Sequence, residues 1–455
     1  MNEREFHTVV VGAGPGGLMA AHRSDVPAPG LLLLDGGDDV DDRVGVMRSG
    51  DRRNVVTRGF GGAGLFSDGK LCLSPRIGST VSHRFPPALV SKRQHAIDEI
   101  LRSGERADLH GSDAETAKGL EKLAETADLE YVHYPVRHLG TDQLPRMLKR
   151  LRLRLSENAT IACRTTCLDL RPSGRRDFRW ELELDGPVFK RVHAVNVVLA
   201  PGKVGASWLG EVGRALDLRR DPAQPKIGFR LEGAKEFLAP LLKVATDPKV
   251  IWSGPDGVEA RTHCVCYGGN VVPADYHGLL LVGGHATSTH AENRSNSAII
   301  ATAGRRLPLS AADVRGLVAG INSRYGGLMS QRLGDFLSNE DVAAGRAVRG
   351  FSPSIPAATP GDFTTEFPAE IVHVLQSYLH RLSALCPEIL HPENVLYGPA
   401  VERWASRFTV NDDMSALGHP GLYLVGDGPG LTGGIIGAAE TGWIAGDAIT
   451  AEAHR

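Results

Sequence analysis

The segment Gly12-Ala13-Gly14-Pro15-Gly16-Gly17 restricts the fold of this chain more than any other stretch. Its G-x-G-x-x-G spacing is weak evidence alone, and the flanking residues make it specific. Residues 7–11 (His-Thr-Val-Val-Val) read as a buried parallel strand, 17–23 as a helix of mostly small residues, and 31–34 as a second buried strand ending at Asp35. Gly12 permits the tight turn, Gly14 lets backbone approach a pyrophosphate, and Gly17 lets helix and strand pack closely. With Pro15 and Gly16 between them, the turn presents free N–H groups at the positive end of a helix. Asp35 is placed to accept a hydrogen bond from an adenosine ribose, and an acid there favours FAD or NAD over NADP.

The other end of the chain separates FAD from NAD. Residues 421–425 form a short apolar strand running into Gly426-Asp427-Gly428, and Gly433-Gly434-Ile435 then opens a helix to about residue 450. This arrangement resembles flavoenzymes of the glutathione-reductase superfamily. The resemblance implies that Asp427 binds the ribityl and phosphate region and that the helix aims its N-terminus at the flavin N1–C2=O edge. A helix N-terminus stabilises the negative charge of a reduced flavin. Residues 194–199 read as another buried strand, ending at Ala200-Pro201-Gly202. Gly202, Gly426, Asp427, Gly433, Gly434 and Ile435 therefore join the expected FAD set.

Glycine makes up 54 of 455 residues, well above an ordinary share of ~7 %, as tight turns against a ligand require. The net charge of −2 lacks the basic field of a nucleic-acid binder. Six cysteines in a chain of this length do not form a disulfide framework, and no apolar run approaches the ~18 residues of a membrane helix. A cytoplasmic protein with reduced thiols, no nucleic-acid partner and no membrane partner is expected. Residues 40–85 read as mostly loop, 86–128 and 144–156 as helical, 160–199 as a strand meander, and 227–301 as short β-patterns. The expected fold is α/β, a discontinuous Rossmann-type FAD-binding domain (1–225 and 395–455) with an inserted α+β substrate domain (226–394).

Several internal stretches carry a second resemblance. They are residues 61–71 (Gly-Gly-Ala-Gly-Leu-Phe-Ser-Asp-Gly-Lys-Leu), His138-Leu139-Gly140-Thr141-Asp142, residues 261–269 from Arg261 to Gly269, Asn296-Ser297-Ala298, residues 331–336 and Glu402-Arg403-Trp404-Ala405-Ser406. In this order they resemble motifs of the bacterial predicted FAD-dependent dehydrogenases. The resemblance implies a two-domain flavoprotein in which Gly62, Gly64, Ser67, Asp68 and Lys70 border the pyrophosphate or the flavin ring. Tyr267 and Arg403-Trp404-Ala405 depart from the family pattern, which suggests a specialised member.

No C-x4-C redox pair or W-x-W-x-I-P stretch is present, which disfavours disulfide reduction and halogenation, and the glycine stretches at 201–205 and 282–285 do not fit a second G-x-G-x-x-G for a dedicated NAD(P)H domain. Hydride transfer to a flavin needs a substrate C–H near N5 and often a base. Arg403 could clamp a substrate carboxylate bidentately and Glu402 could act as base, or the two could simply hold the insertion in place. Cys264 could form an adduct or take a proton, with His263 and Tyr267 beside it, and buried packing is the alternative. His285 and His290 are weaker candidates for a base. Cys264-x-Cys266 lacks partners at ligand spacing, so no metal is expected. These readings favour an FAD-dependent dehydrogenase or oxidase acting on a small molecule, with O2 or an unidentified electron acceptor. An NAD(P)H-dependent flavin monooxygenase or reductase, and a non-enzymatic flavin-binding accessory protein, are the alternatives.

Overall fold

The computed structural model describes residues 3–27, 30–49, 58–64, 69–102, 104–111, 113–139, 143–221, 225–276, 278–286, 291–337, 351–402 and 406–455. Ser67, Asp68, His290 and Arg403 lie outside them. The chain divides into two units: Met1–Asp108, Arg137–Pro222 and Ala405–Arg455 form the first, Leu109–Val136 and Ala223–Trp404 the second. This division differs from the expected one. Glu130–Val132 pairs antiparallel with Lys249–Ser253, which carries its segment into the second unit. Val395–Glu402 lies between Lys226–Ala234 and Met329–Arg332, so residues 395–402 belong there too.

The first unit is built on a seven-stranded sheet. In it β1 (Glu3–Val11) leads through Gly12 into α1 (Pro15–Arg23) and on to β2 (Leu31–Leu34). β1 pairs in parallel with β2 on one side and with β3 (Arg191–Leu199) on the other. The second half of β3 carries the short parallel strand β4 (Leu422–Leu424), while its first half pairs antiparallel with Trp180–Asp185. Val9, Val10, Leu32, Leu33, Val197 and Val198 are fully buried, as expected of central parallel strands covered on both faces. The long helix α2 (Ile435–Ala453) packs against α1. Glycine in a helix interior costs ~1 kcal/mol relative to alanine, and here it permits backbone contact between helices: a Cβ on Gly442 would lie 1.9 Å from the Gly16 carbonyl oxygen.

The segment after β2 corrects one expectation. Residues 40–85 are not mostly loop at their start, because Val40–Ser49 is helical. Asp41 and Asp42 in its first turn complement the helix dipole, and Val40 and Arg43 face the interior.

The second unit centres on an eight-stranded, largely antiparallel sheet. Along Lys226–Ala234 the side chains alternate: Ile227, Phe229 and Leu231 join the apolar core with the helices Ala311–Tyr325 and Ala369–Leu382. Lys226, Arg230 and Glu232 occupy the opposite face and are also buried. That face is mixed: these buried charges stand beside an apolar cluster that includes Ala298, Ile300, Tyr397 and Ala400.

Candidate functional site

In the first unit the fingerprint glycines separate into two kinds. Gly12 has φ +103°, and a Cβ there would lie 2.2 Å from the Ala200 carbonyl oxygen; a Cβ on Gly17 would lie 1.8 Å from the Gly12 carbonyl oxygen. The fold itself demands glycine at both. Gly14 is different. Its φ of −77° and ψ of −179° suit any residue, and a Cβ would meet nothing nearer than the Gly62 Cα at 3.8 Å. Gly14 is the N-cap of α1, where Ser, Thr, Asp or Asn would ordinarily bond the first amides; no side chain caps this helix, and Pro15 occupies its first turn.

The same pattern recurs at α2. Its N-cap, Gly434, has an extended φ of −168°, no side-chain cap, and open space to the Gly78 Cα at 3.9 Å. Between the two helix starts runs the loop containing Gly62 and Gly64. The space for a Gly64 Cβ lies 2.8 Å from Ile435 Cγ1 and 3.7 Å from Pro15 Cγ, so the first residues of α1 and α2 border one glycine. Gly433 N donates to Gly78 O at 3.0 Å, which fixes the entry to α2. Gly78 had no signal in a single sequence beyond being a glycine.

The strand ends supply the acids. Asp35 Oδ2 accepts from Ala13 N at 2.9 Å, and Oδ1 accepts from Gly37 N and Gly59 N, both at 2.8 Å. It therefore gathers three loops in addition to any ribose it meets. Asp427 Oδ1 accepts from Thr432 Oγ1 at 2.5 Å, and its Oδ2 lies 3.8 Å from Lys203 Nζ. Gly426 N donates to Thr441 Oγ1. Gly202 lies beside this turn, since a Cβ on Gly428 would fall 2.9 Å from the Gly202 carbonyl oxygen. Gly16 borders α2 through the Ala438 carbonyl oxygen, and the short strand carrying Lys70 packs on α2. Every described residue of the expected FAD set thus lies in the first unit. Two open, uncapped helix N-termini and a glycine wall between them fit a dinucleotide with a pyrophosphate and an electron-accepting ring.

The remaining described candidates lie in the second unit, with Glu402 and His263 on the sheet face that carries Lys226, Arg230 and Glu232. Arg261 Nη2 donates to both Glu402 oxygens, at 2.6 and 2.5 Å, so that carboxylate is already engaged. Lys226 and Glu259 form an adjoining ion pair. His263 stands two residues from Arg261 on the same strand; its buried Nδ1 has no hydrogen-bond partner, and burial pulls the imidazole down to about 3. It is neutral at pH 7. Cys264 follows with φ +51°, where the ladder to Arg294–Thr302 shifts register. Such left-handed, bulged residues store strain. The kink is held by Val265 N donating to Asp247 Oδ1 at 2.8 Å and by Arg230 Nη2 donating to Cys264 O at 2.5 Å. Arg230 Nη2 also lies 3.2 Å from the buried Cys266 Sγ.

Tyr267 is 41 % exposed. Its hydroxyl donates to Glu236 Oε1 at 2.6 Å, and that bond leads in pushing the phenol up to about 12. His285 ends the strand Leu279–His285. Among the described residues no group of three or more His, Cys, Asp or Glu is arranged to hold a metal, and no helix is long and apolar enough to cross a membrane.

No family model matches the chain. A protein of Clostridium beijerinckii (strain ATCC 51743 / NCIMB 8052), described only as uncharacterized, is 25% identical over 481 residues, spanning 97% of this chain and 80% of that protein. Among solved structures, glycine oxidase from Geobacillus kaustophilus aligns over 98% of this chain and 95% of its own, at 13% identity and a TM-score of 0.39. L-Amino acid deaminase from Proteus myxofaciens aligns over 98% and 90%, at 12% identity and 0.39. p-Nitrophenol 4-monooxygenase PnpA from Pseudomonas putida DLL-E4 aligns over 100% and 81%, at 15% identity and 0.40.

Proposed function

We propose that this protein is an FAD-dependent oxidoreductase whose first unit holds the cofactor between the N-termini of α1 and α2. One observation carries the reading. Gly14 and Gly434 cap two helices without strain or close packing to require glycine, so each forgoes a side-chain cap and leaves backbone open to a ligand. At α1 the open amides face the pyrophosphate, with Gly62 closing the opposite side. Asp35 turns its remaining acceptor capacity to the adenosine ribose, and Asp427 binds the ribityl and phosphate region. At α2 the helix dipole favours negative charge on the flavin.

FAD, when bound, supplies a hydride acceptor. The chain supplies binding, orientation and proton handling. In the second unit, neutral His263 is the candidate hydrogen-bond partner for a small-molecule substrate. The Arg261–Glu402 pair orders part of the sheet face on which His263 stands. The favoured reaction is hydride removal from C–N, C–O or C–C, with electrons passing to O2 or another acceptor.

The first test is the colour of the purified protein and the identity of its released chromophore: stoichiometric FAD supports the reading, and a colourless protein that cannot be reconstituted removes it. Anaerobic mixing with amines, alcohols and hydroxy acids then probes the reaction through bleaching of the flavin band. Fast bleaching by NADH or NADPH instead moves the assignment to a monooxygenase or reductase.

A further inference from the structure

Arg43 belongs to no recognised motif, yet it is 1 % exposed and lies against the loop around Gly59. Its Nη1 donates to Phe60 O at 2.6 Å and its Nη2 to Gly62 O at 3.3 Å. The same loop is tied from three other directions. Gly59 N donates to Asp35 Oδ1, Phe60 N to Asp38 O at 3.0 Å, and Gly61 N to Ala13 O at 2.8 Å. The outcome is that Gly62 stands against Gly14: a Cβ on Gly62 would lie 2.7 Å from the Gly14 Cα.

A carbonyl dipole turned toward a bound pyrophosphate would repel it, and one turned away would not. The buried guanidinium engages the Phe60 and Gly62 carbonyls. It also places a positive charge in a low-dielectric region, where charge acts over longer distances than in water. Burial pulls this guanidinium down to about 10 while Asp35 opposes the shift, so it is cationic at neutral pH. Lysine could supply the charge but not the planar fork that spans two acceptors.

We infer that Arg43 is a positioning residue for the dinucleotide: it fixes the 59–62 loop against Gly14 and sets affinity for the pyrophosphate without contributing a contact of its own. The inference rests on the FAD reading above. Its test uses apoprotein stripped of flavin and titrated with FAD, following quenching of flavin fluorescence, with urea unfolding of each apoprotein measured in parallel. Wild type, Arg43→Lys, Arg43→Met and Arg152→Met are compared. Arg152 pairs with Asp39 in a more exposed ion pair and reaches the loop only through the Phe60 ring at 5.9 Å, so it controls for losing a charge beside the loop without losing the carbonyl bonds.

The expected result is a 1:1 end point in every folded variant. Kd should rise about 10-fold in Arg43→Lys and at least 100-fold in Arg43→Met, and stay within about 2-fold of wild type in Arg152→Met. A merely structural Arg43 gives a lower end point with an unchanged Kd, and that outcome overturns the inference. Should Arg43→Met fail to fold, Arg43→Lys decides: an unchanged Kd overturns the proposal, and a raised Kd at full stoichiometry supports it. If wild-type apoprotein does not take up FAD at all, the cofactor reading falls first and this one with it. If wild type binds and no variant differs, only the role of Arg43 falls.

Discussion

Substituting alanine at Gly14 and at Gly17 should separate ligand binding from folding within a single turn. At Gly14 the new methyl makes only an ordinary contact, with the Gly62 Cα 3.8 Å away, and the backbone conformation suits alanine. Apoprotein stability should change by less than ~1 kcal/mol, because the ~0.4–1 kcal/mol gained by narrowing the unfolded ensemble is opposed by the poorer N-cap preference of alanine. In the proposed placement of FAD, the methyl fills the place where the pyrophosphate meets the helix amides. Losing two hydrogen bonds to a charged group, at ~1.5–3 kcal/mol each, gives ~3–6 kcal/mol, a fall in FAD affinity of roughly 10²–10⁴-fold. At Gly17 the methyl would sit 1.8 Å from the Gly12 carbonyl oxygen, so β1 or α1 must move by more than 1 Å. Overpacking against backbone costs ~1–3 kcal/mol or more. Urea unfolding of the two apoproteins, together with FAD titration by fluorescence, reads both effects. Wild-type FAD affinity in Gly14→Ala would refute the placement of the ligand. Equal destabilisation by both substitutions would refute the distinction between the two glycines.

Three further outcomes follow from single residues. His263 has its pKa lowered by burial, so below its ordinary 6.5 the unfolded state binds the proton first and stability falls with pH. Between pH 7 and 5 this amounts to about 1–2 kcal/mol; His263→Gln should flatten that part of the pH dependence, and an unchanged slope counts against a buried neutral imidazole. In the first unit Glu440 is fully buried and meets Arg93 Nη1 at 3.2 Å, with Ser82 Oγ donating to it at 2.8 Å. Arg93→Met leaves that charge uncompensated and should cost ~3–5 kcal/mol in urea unfolding, with Glu440→Gln costing less. Tyr267→Phe removes only a half-exposed hydroxyl bonded to Glu236, and the urea midpoint should shift by no more than ~0.5 kcal/mol equivalent; a larger loss would mean that the side chain packs more tightly than its exposure indicates.

Much of the nucleotide unit was readable from local pattern. The strand–glycine–helix order at residues 7–23, the strand Leu31–Leu34 and the helix opening at Ile435 all follow from short-range periodicity and glycine spacing. The helix Val40–Ser49 was hidden because the surrounding glycine, serine and arginine read as loop, while its two first-turn acids and its buried Arg43 gave only weak signals. Arg43 could not be recognised as internal, since its acceptors are the carbonyls of Phe60 and Gly62 and no side-chain pattern reports them. Glu402 stood out as a candidate base from its neighbours in sequence, but its partner Arg261 lies 141 positions away.

Sequence alone determined that this chain opens with a dinucleotide turn and closes with a second glycine-led helix, because backbone conformation and strand burial are dictated over a few residues. Tertiary structure decided which glycines serve the fold and which leave space for a ligand. Gly14 and Gly17 are identical in the sequence and differ only in what a Cβ would meet. It also decided that the second unit carries Lys226, Arg230, Glu232, Arg261, His263 and Glu402 on one sheet face. That grouping depends on pairing between distant strands, and the cost of burying charge is set by the partners that pairing supplies.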